Sequence, residues 1–383
     1  MFKRLFSLPL DMHNSVFIFG PRGTGKTLWI QHYLRNLEHL YFDLLDSKTY
    51  RIFQATPEEI QQRIPKDYKG WIVIDEVQRV PELLNEVHRA IESRHQRFIL
   101  TGSSARKLRK NGTNLLAGRA LRYRMHPFII QELGDSFTLE HALTLGMLPA
   151  TYTYNQPDRY LATYIEAYLR EEVLQEGLTR NISAFTRFLE IASYSQGSTI
   201  NTTEIAREVS VDRKVVENYF SILNDLLLSH KIPPFTKHAK RNLVQKDKFY
   251  YFDAGVYQQL RPKGLLDSSS EIGGIALETL FLQSLLAVID YYNVSAKVYY
   301  WRTTSGIEVD FIVYGEKTLI AFEIKHTKSI TPTLIKGLKQ FKMDYPMCKS
   351  YLIYQGADIQ YLAEDIIALP ITEALTQLPT LLC

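Results

Sequence analysis

The run from Val16 to Thr27 constrains this chain more than any other feature. Val16-Phe17-Ile18-Phe19 is apolar without alternation, as a strand buried on both faces is. It leads into Gly20-Pro21-Arg22-Gly23-Thr24-Gly25-Lys26-Thr27 and then a helical segment. This is the Walker A pattern GxxxxGK[ST] in its working context, strand before and helix after. The glycines let backbone N–H groups close around a phosphate, and the helix N-terminus adds favourable partial charge. Lys26 is expected to reach the β- and γ-phosphates of ATP, and Thr27 to bind Mg²⁺. Gly20 to Thr27 is therefore the expected nucleotide-binding segment.

Three further strands support that reading. Trp71-Ile72-Val73-Ile74 is apolar and ends in Asp75-Glu76. Asp75 is placed to hold Mg²⁺ through water, and Glu76 to polarise an attacking water. Phe98-Ile99-Leu100 ends in Thr101-Gly102-Ser103-Ser104, which sets Thr101 beside a γ-phosphate as a sensor or, more plainly, in a strand-ending turn. Leu40-Tyr41-Phe42-Asp43 is a fourth strand. Strands alternating with helices predict an α/β fold with a parallel sheet.

Composition narrows the remaining classes. With 383 residues, 45% hydrophobic and 22% charged, the chain is long enough for two or three globular domains and is neither disordered nor fibrous. A net charge of +4 is too mild to prove a nucleic-acid partner, so local clustering decides. The two cysteines, Cys348 and Cys383, read as free thiols in a reducing compartment. Pro9, Asp11 and His13 interrupt the N-terminal run, so no signal peptide is expected. The apolar stretch from Leu277 to Ile289 looks too short to span a bilayer. A cytoplasmic protein without a membrane partner is expected.

Between Ser104 and Arg124 the charged residues are all basic: Arg106, Lys107, Arg109, Lys110, Arg119, Arg122 and Arg124. They suit a solvated face, a finger entering a neighbouring subunit's ATP site, or contacts to nucleic-acid phosphate. Taken together, GPRGTGKT (20–27), IDEVQRVPELL (74–84), FILTGSS (98–104), LLAGRA (115–120) and HPFIIQEL (126–133) resemble the AAA-type ATPase domain of a large prokaryotic family. In that family a C-terminal domain of unknown function, similar to restriction endonucleases, follows the ATPase. The resemblance spans nearly the whole chain. It implies that Arg119 is the finger or sensor arginine, and a finger in trans implies a homo-oligomer, a dimer or a ring.

The middle has a different pattern. Residues 156–180 show helical spacing at Tyr160, Tyr164, Ala167, Tyr168 and Leu169. A short helix over 203–209, a turn at Ser210-Val211-Asp212 and a longer helix marked by Val215, Val216, Tyr219, Ile222, Leu223, Leu226 and Leu227 follow the helix-turn-helix layout. Arg213, Lys214, Asn218 and Ser221 would face outward. Lys237, His238, Lys240, Arg241, Lys246 and Lys248, against Asp247 alone, suit a wing on the DNA backbone. A structural or protein-docking bundle is the alternative.

The last third carries acids on strands. Asp310 sits among apolar neighbours, and Glu323 and Lys325, two apart, share one face of a strand. Buried acids need partners or metal. A D…ExK pattern suits Mg²⁺-dependent phosphodiester cleavage, with Asp310 and Glu323 as ligands and Lys325 as the catalytic lysine. Glu278, at the head of an apolar helix, is a further candidate ligand. The arrangement resembles the PD-(D/E)XK nucleases, with Val309 standing where a proline is usual. An ion pair between Glu323 and Lys325 in a retained fold is the alternative.

The expected architecture is thus a P-loop ATPase domain (1–150), a helical connector and winged helix (151–250), and a mixed α/β nuclease-like domain (251–383). The expected function is an oligomeric, DNA-associated ATPase using ATP and Mg²⁺, a motor or remodeller of duplex or branched DNA. A nucleotide switch acting through protein partners and an ATP-gated nuclease are the alternatives.

Overall fold

The computed structural model describes residues 2–9, 14–104, 115–169, 181–265 and 267–382. Arg106, Lys107, Arg109, Lys110 and Cys383 lie outside them. The chain packs as two compact units, Arg4–Pro127 with Asp225–Leu228, and Phe128–Asn224 with Ser229–Cys383 and Met1–Lys3. The boundary expected near 250 is not a break in packing.

The first unit contains β1 (Ser15–Phe19), α1 (Lys26–Tyr33), β2 (His39–Asp43), α2 (Ser47–Ala55), α3 (Glu59–Arg63), β3 (Trp71–Asp75), α4 (Leu83–Arg94), β4 (Arg97–Gly102) and β5 (Ala120–Arg124). The strands form one parallel sheet in the order β2-β3-β4-β1-β5. β1 and β3 are buried at every position, which is why both are unbroken apolar runs. Phe17, Ile72, Ile74, Phe98 and Leu100 share one core with Leu83, Leu84 and Val87 of α4. Because β4 lies between β1 and β3, the carboxyl ends of three strands come side by side. Ligands of open parallel sheets bind at that edge.

The second unit begins with α5 (Ile130–Leu133), α6 (Leu139–Thr144), α7 (Pro157–Thr163) and α8 (Ile182–Ser193). β6 (Ser198–Thr199), α9 (Thr202–Val209), α10 (Arg213–Asp225), β7 (Ser229–Ile232) and β8 (Lys248–Tyr251) follow. These three strands form an antiparallel sheet with β8 in the middle. Phe185 and Phe188 of α8 pack against Tyr219 and Phe220 of α10, and Phe220 meets Phe249 of β8. Arg213, Lys214 and Asn218 are exposed, as the helical spacing predicts, whereas Ser221 is half-buried.

Then come α11 (Ala254–Leu260), α12 (Ser269–Tyr291), β9 (Ala296–Arg302), β10 (Glu308–Gly315), β11 (Leu319–Ile324), α13 (Lys336–Asp344), β12 (Lys349–Tyr354), β13 (Gln360–Tyr361), β14 (Ile366–Pro370) and α14 (Ile371–Leu382). The sheet is mixed, in the order β13-β14-β12-β11-β10-β9. Leu338 and Phe341 of α13 pack with Ile312, Ala321 and Leu352. Phe281 of α12 packs instead on Phe311 and Phe322. Alternate strand residues face opposite sides, so helices cover both faces of this sheet.

One sequence expectation is corrected here. The helix expected to be too short for a bilayer spans 23 residues, and α12 is long and apolar enough to cross one; 72% of its most apolar window is nevertheless buried inside the protein. The basic segment after β7 keeps Lys237, His238, Lys240 and Lys246 exposed but is tied to the sheet beside it. Phe235 N–H donates to Tyr300 O at 2.7 Å and Val244 N–H to Arg302 O at 2.9 Å, laying the segment along the edge strand β9. Phe235 and Leu243 enter the core shared with Trp301 and Phe341, which holds the segment there. Arg241 forks onto Asp344 at 2.7 and 3.1 Å. Lys248 is buried rather than offered to DNA.

Candidate functional site

The phosphate loop leaves β1 and turns through Gly23 (φ 85°) and Gly25 (φ 86°), a conformation that glycine adopts without steric cost. A Cβ on Gly20 would lie 2.3 Å from the carbonyl oxygen of Met125, so only glycine fits there. Pro21 and Thr24 are buried and Arg22 is half-buried. Thr24 Oγ1 donates to Pro21 O at 2.8 Å and stiffens the turn. Lys26 opens α1, and its buried ammonium donates to Gly20 O at 2.8 Å and Pro21 O at 3.1 Å. The ammonium thus sits within the loop.

Around that loop the strand ends converge. Asp75 is buried at the end of β3. Thr27 Oγ1 donates to its Oδ2 at 2.8 Å, Tyr41 Oη to the same oxygen at 2.5 Å, and Thr101 Oγ1 to Oδ1. Thr101 Oγ1 in turn accepts from Glu76 N–H at 2.9 Å. Glu76 itself is left-handed (φ 61°), an uncommon conformation for a residue with a side chain. Gln78 Nε2 donates to the Glu76 carboxylate and to Ser103 Oγ at 3.0 Å. Residues from β2, β3, β4 and α1 thereby form one polar group. Sequence reasoning missed Tyr41 and Gln78. Tyr41 read only as a strand residue, and nothing local marks a phenol as an Asp partner. Burial first, then Asp75, pushes its phenol above the ordinary value.

Arg119 is elsewhere. It directly precedes β5, whose first residue Ala120 is in register with Ser15, while Arg124 pairs with Phe19 at the loop end. A five-residue strand spans about 13 Å, so Arg119 stands at the opposite edge of the sheet. There it is ion-paired with Glu92 of α4.

The second cluster lies on the C-terminal sheet. Asp310 Oδ2 accepts from Ile324 N–H at 2.8 Å and lies 3.8 Å from Lys325 Nζ. Lys325 Nζ is 2.6 Å from Glu323 Oε1. Glu278 of α12 accepts from Tyr250 Oη at 3.0 Å. Lys248 Nζ contacts Glu308 and lies 3.8 Å from Asp310 Oδ1. Asp310, Glu323 and Lys325 therefore meet as the strand pattern predicts, with Glu278 held beside them. Burial first, then Asp310, pushes Glu278 and Glu323 up to about 8. Burial works to lower the Lys325 and Lys248 ammonium groups, but Asp310 together with Glu323 or Glu308 outweighs it and holds both above the ordinary lysine range. Among the described residues, no three acidic, histidine or cysteine side chains are gathered as a metal ion requires. The sequence analysis gave Lys248 to the wing and missed Tyr250 and Glu308; Lys248 and Tyr250 come from a strand about sixty residues before the D…ExK pattern.

Residues 12–134 match the family model of an AAA domain. Residues 136–267 and 273–374 match two families, DUF8612 and DUF4143, each described as a domain of unknown function. An uncharacterized protein of Mycobacterium tuberculosis is 24% identical over 370 residues, covering 94% of this chain and 81% of that protein. An uncharacterized protein of Haemophilus influenzae is 19% identical, covering 85% of this chain and 86% of that one. The Aeropyrum pernix ORC1 protein in complex with DNA is similar over 64% of this chain and 86% of its own, at 12% identity and a TM-score of 0.28. A superposition that loose decides nothing about function.

Proposed function

We propose that the protein binds and hydrolyses ATP with Mg²⁺ at Gly20–Thr27 and couples turnover to DNA, as an oligomeric motor or remodeller. One observation carries the ATPase part of the reading: Thr27 and Asp75, 48 positions apart, meet at 2.8 Å beside the phosphate loop. A hydroxyl and a carboxylate are hard oxygen donors of the kind Mg²⁺ takes. Mg²⁺, when bound, neutralises phosphate charge and orients the transferring group. Lys26 exchanges the loop carbonyls for the β- and γ-phosphates. Glu76 orients the attacking water, and Gln78 holds its carboxylate in place. Thr101, bonded to both Asp75 and Glu76, links the strand end to the reacting phosphate.

The rest of the reading is built on placement. Arg119, at the far edge of its own sheet, serves a neighbouring subunit's nucleotide, which requires a dimer or a ring. α9 and α10, with β6, β7 and β8, act as a winged helix. Arg213, Lys214 and Asn218 offer its exposed polar face to DNA phosphate and base edges. A nucleotide switch read by protein partners is the second reading. What favours it is that Arg241 and Lys248 are committed to internal acids and leave fewer cations for phosphate.

The deciding measurement is the ATPase rate with and without duplex and branched DNA, with Glu76→Gln as control. The motor reading expects a rise of about tenfold, equivalent to about 1.4 kcal/mol of barrier lowering. Slow turnover that DNA leaves unchanged supports the switch. Full turnover in Glu76→Gln overturns the site assignment itself.

A further inference from the structure

We propose that Lys248 occupies the place of a metal ion in the C-terminal acid cluster, making it an internal ionic lock that binds no divalent cation. The resemblance to Mg²⁺-dependent nucleases implies a metal among Glu278, Asp310 and Glu323. The residues present do not fit one.

Both carboxylate oxygens of Asp310 face a cation. Oδ1 faces Lys248 Nζ at 3.8 Å; Oδ2 accepts from Ile324 N–H at 2.8 Å and faces Lys325 Nζ at 3.8 Å. A cation bridging Asp310 and Glu323 would stand against two ammonium groups, and like charges at that range repel strongly in a buried site. Lys325 Nζ holds Glu323 Oε1 at 2.6 Å, and Tyr250 Oη holds Glu278 Oε2 at 3.0 Å. Glu308 sits between Lys248 and Arg302. Among the described residues Glu323 Oε2 is the cluster's buried carboxylate oxygen without a hydrogen bond, and no three acidic, histidine or cysteine side chains gather around it to complete a cation site.

The internal cation is well housed. The Lys248 side chain is 2% exposed, and its Nζ lies 5.4 Å from the centroid of the Tyr300 ring. Lys248 and Tyr250, two apart on β8, point to the same side, and both enter the cluster. β8 is also the middle strand of the β6-β8-β7 sheet. The lock therefore fastens that sheet to β10, β11 and α12.

The test uses the full-length, nucleotide-free protein and Mn²⁺ alone, titrated by electron paramagnetic resonance. Wild type and Asp310→Asn are expected to give the same isotherm. Lys248→Met is expected to gain one Mn²⁺ site at least tenfold tighter than any in wild type, and Lys248→Met/Asp310→Asn to lose it again. A wild-type Mn²⁺ site that disappears in Asp310→Asn overturns the proposal. So does a folded Lys248→Met that gains none. If Lys248→Met does not fold, the comparison of wild type with Asp310→Asn decides alone. None of these readings depends on ATP turnover, so failure here and failure of the ATPase reading are separate results.

Discussion

Asp75 offers two oxygens to three hydroxyl donors, Thr27, Tyr41 and Thr101. Thr27 is the member proposed to face Mg²⁺ as well, so in that reading the other two fix the orientation in which the carboxylate waits. Groups that orient a metal ligand cost about tenfold or more in metal affinity when removed. Tyr41→Phe is therefore expected to raise the Mg²⁺ concentration for half-maximal ATPase by about tenfold. The maximal rate at saturating Mg²⁺ should stay near that of wild type, as a magnesium titration at fixed ATP would record. An unshifted titration would mean that Tyr41 only fills space. At this scale Lys26, Thr27, Asp75 and Glu76 were legible because strand, loop and helix follow one another along the chain. Tyr41, Gln78 and Lys248 were not, since each acts on a residue that tertiary packing alone brings to it.

The start of α11 shows how one buried side chain joins elements. Asp253 accepts from Gly255 N–H at 2.9 Å, Val256 N–H at 3.1 Å and, across the chain, Met147 N–H at 2.8 Å. A Cβ on Gly146 (φ 76°) would fall 2.0 Å from its Oδ1, so the loop before Met147 must carry glycine there. Burial pushes the Asp253 carboxyl up from 3.8 to about 6, although the three N–H donors pull the other way. The folded chain then keeps a proton that the unfolded chain has lost, so stability falls as pH rises from about 4 to about 6. The Asp253 contribution to that fall is about 3 kcal/mol. Urea unfolding of wild type and Asp253→Asn across this range should differ by that slope, and parallel profiles would exclude it. Element existence was largely readable from apolar runs and helical spacing, as β1, β3, α9 and α10 attest. The segment after β7 was not. Its basic residues suggested a wing, but the placement was decided by Phe235 and Leu243, two apolar residues with a core to enter.

For the whole molecule, the proposed service of Arg119 to a neighbouring copy's nucleotide makes a mixing prediction. Arg119→Ala mixed into wild type is expected to depress ATPase more than its mole fraction, because each variant subunit silences a neighbour as well. A strictly proportional fall would assign Arg119 to its ion pair with Glu92 alone. The phosphate loop, the acids after β3, the parallel sheet and the helical middle were readable along the chain alone. Those depend on neighbours along the chain, where hydrophobic period and glycine spacing are explicit. Tertiary structure alone decided that Arg119 faces away from its own loop, that the basic segment covers β9, and that Lys248 stands among the C-terminal acids. These outcomes turn on which distant apolar faces and charges must be buried together, a choice that no local stretch of the chain encodes.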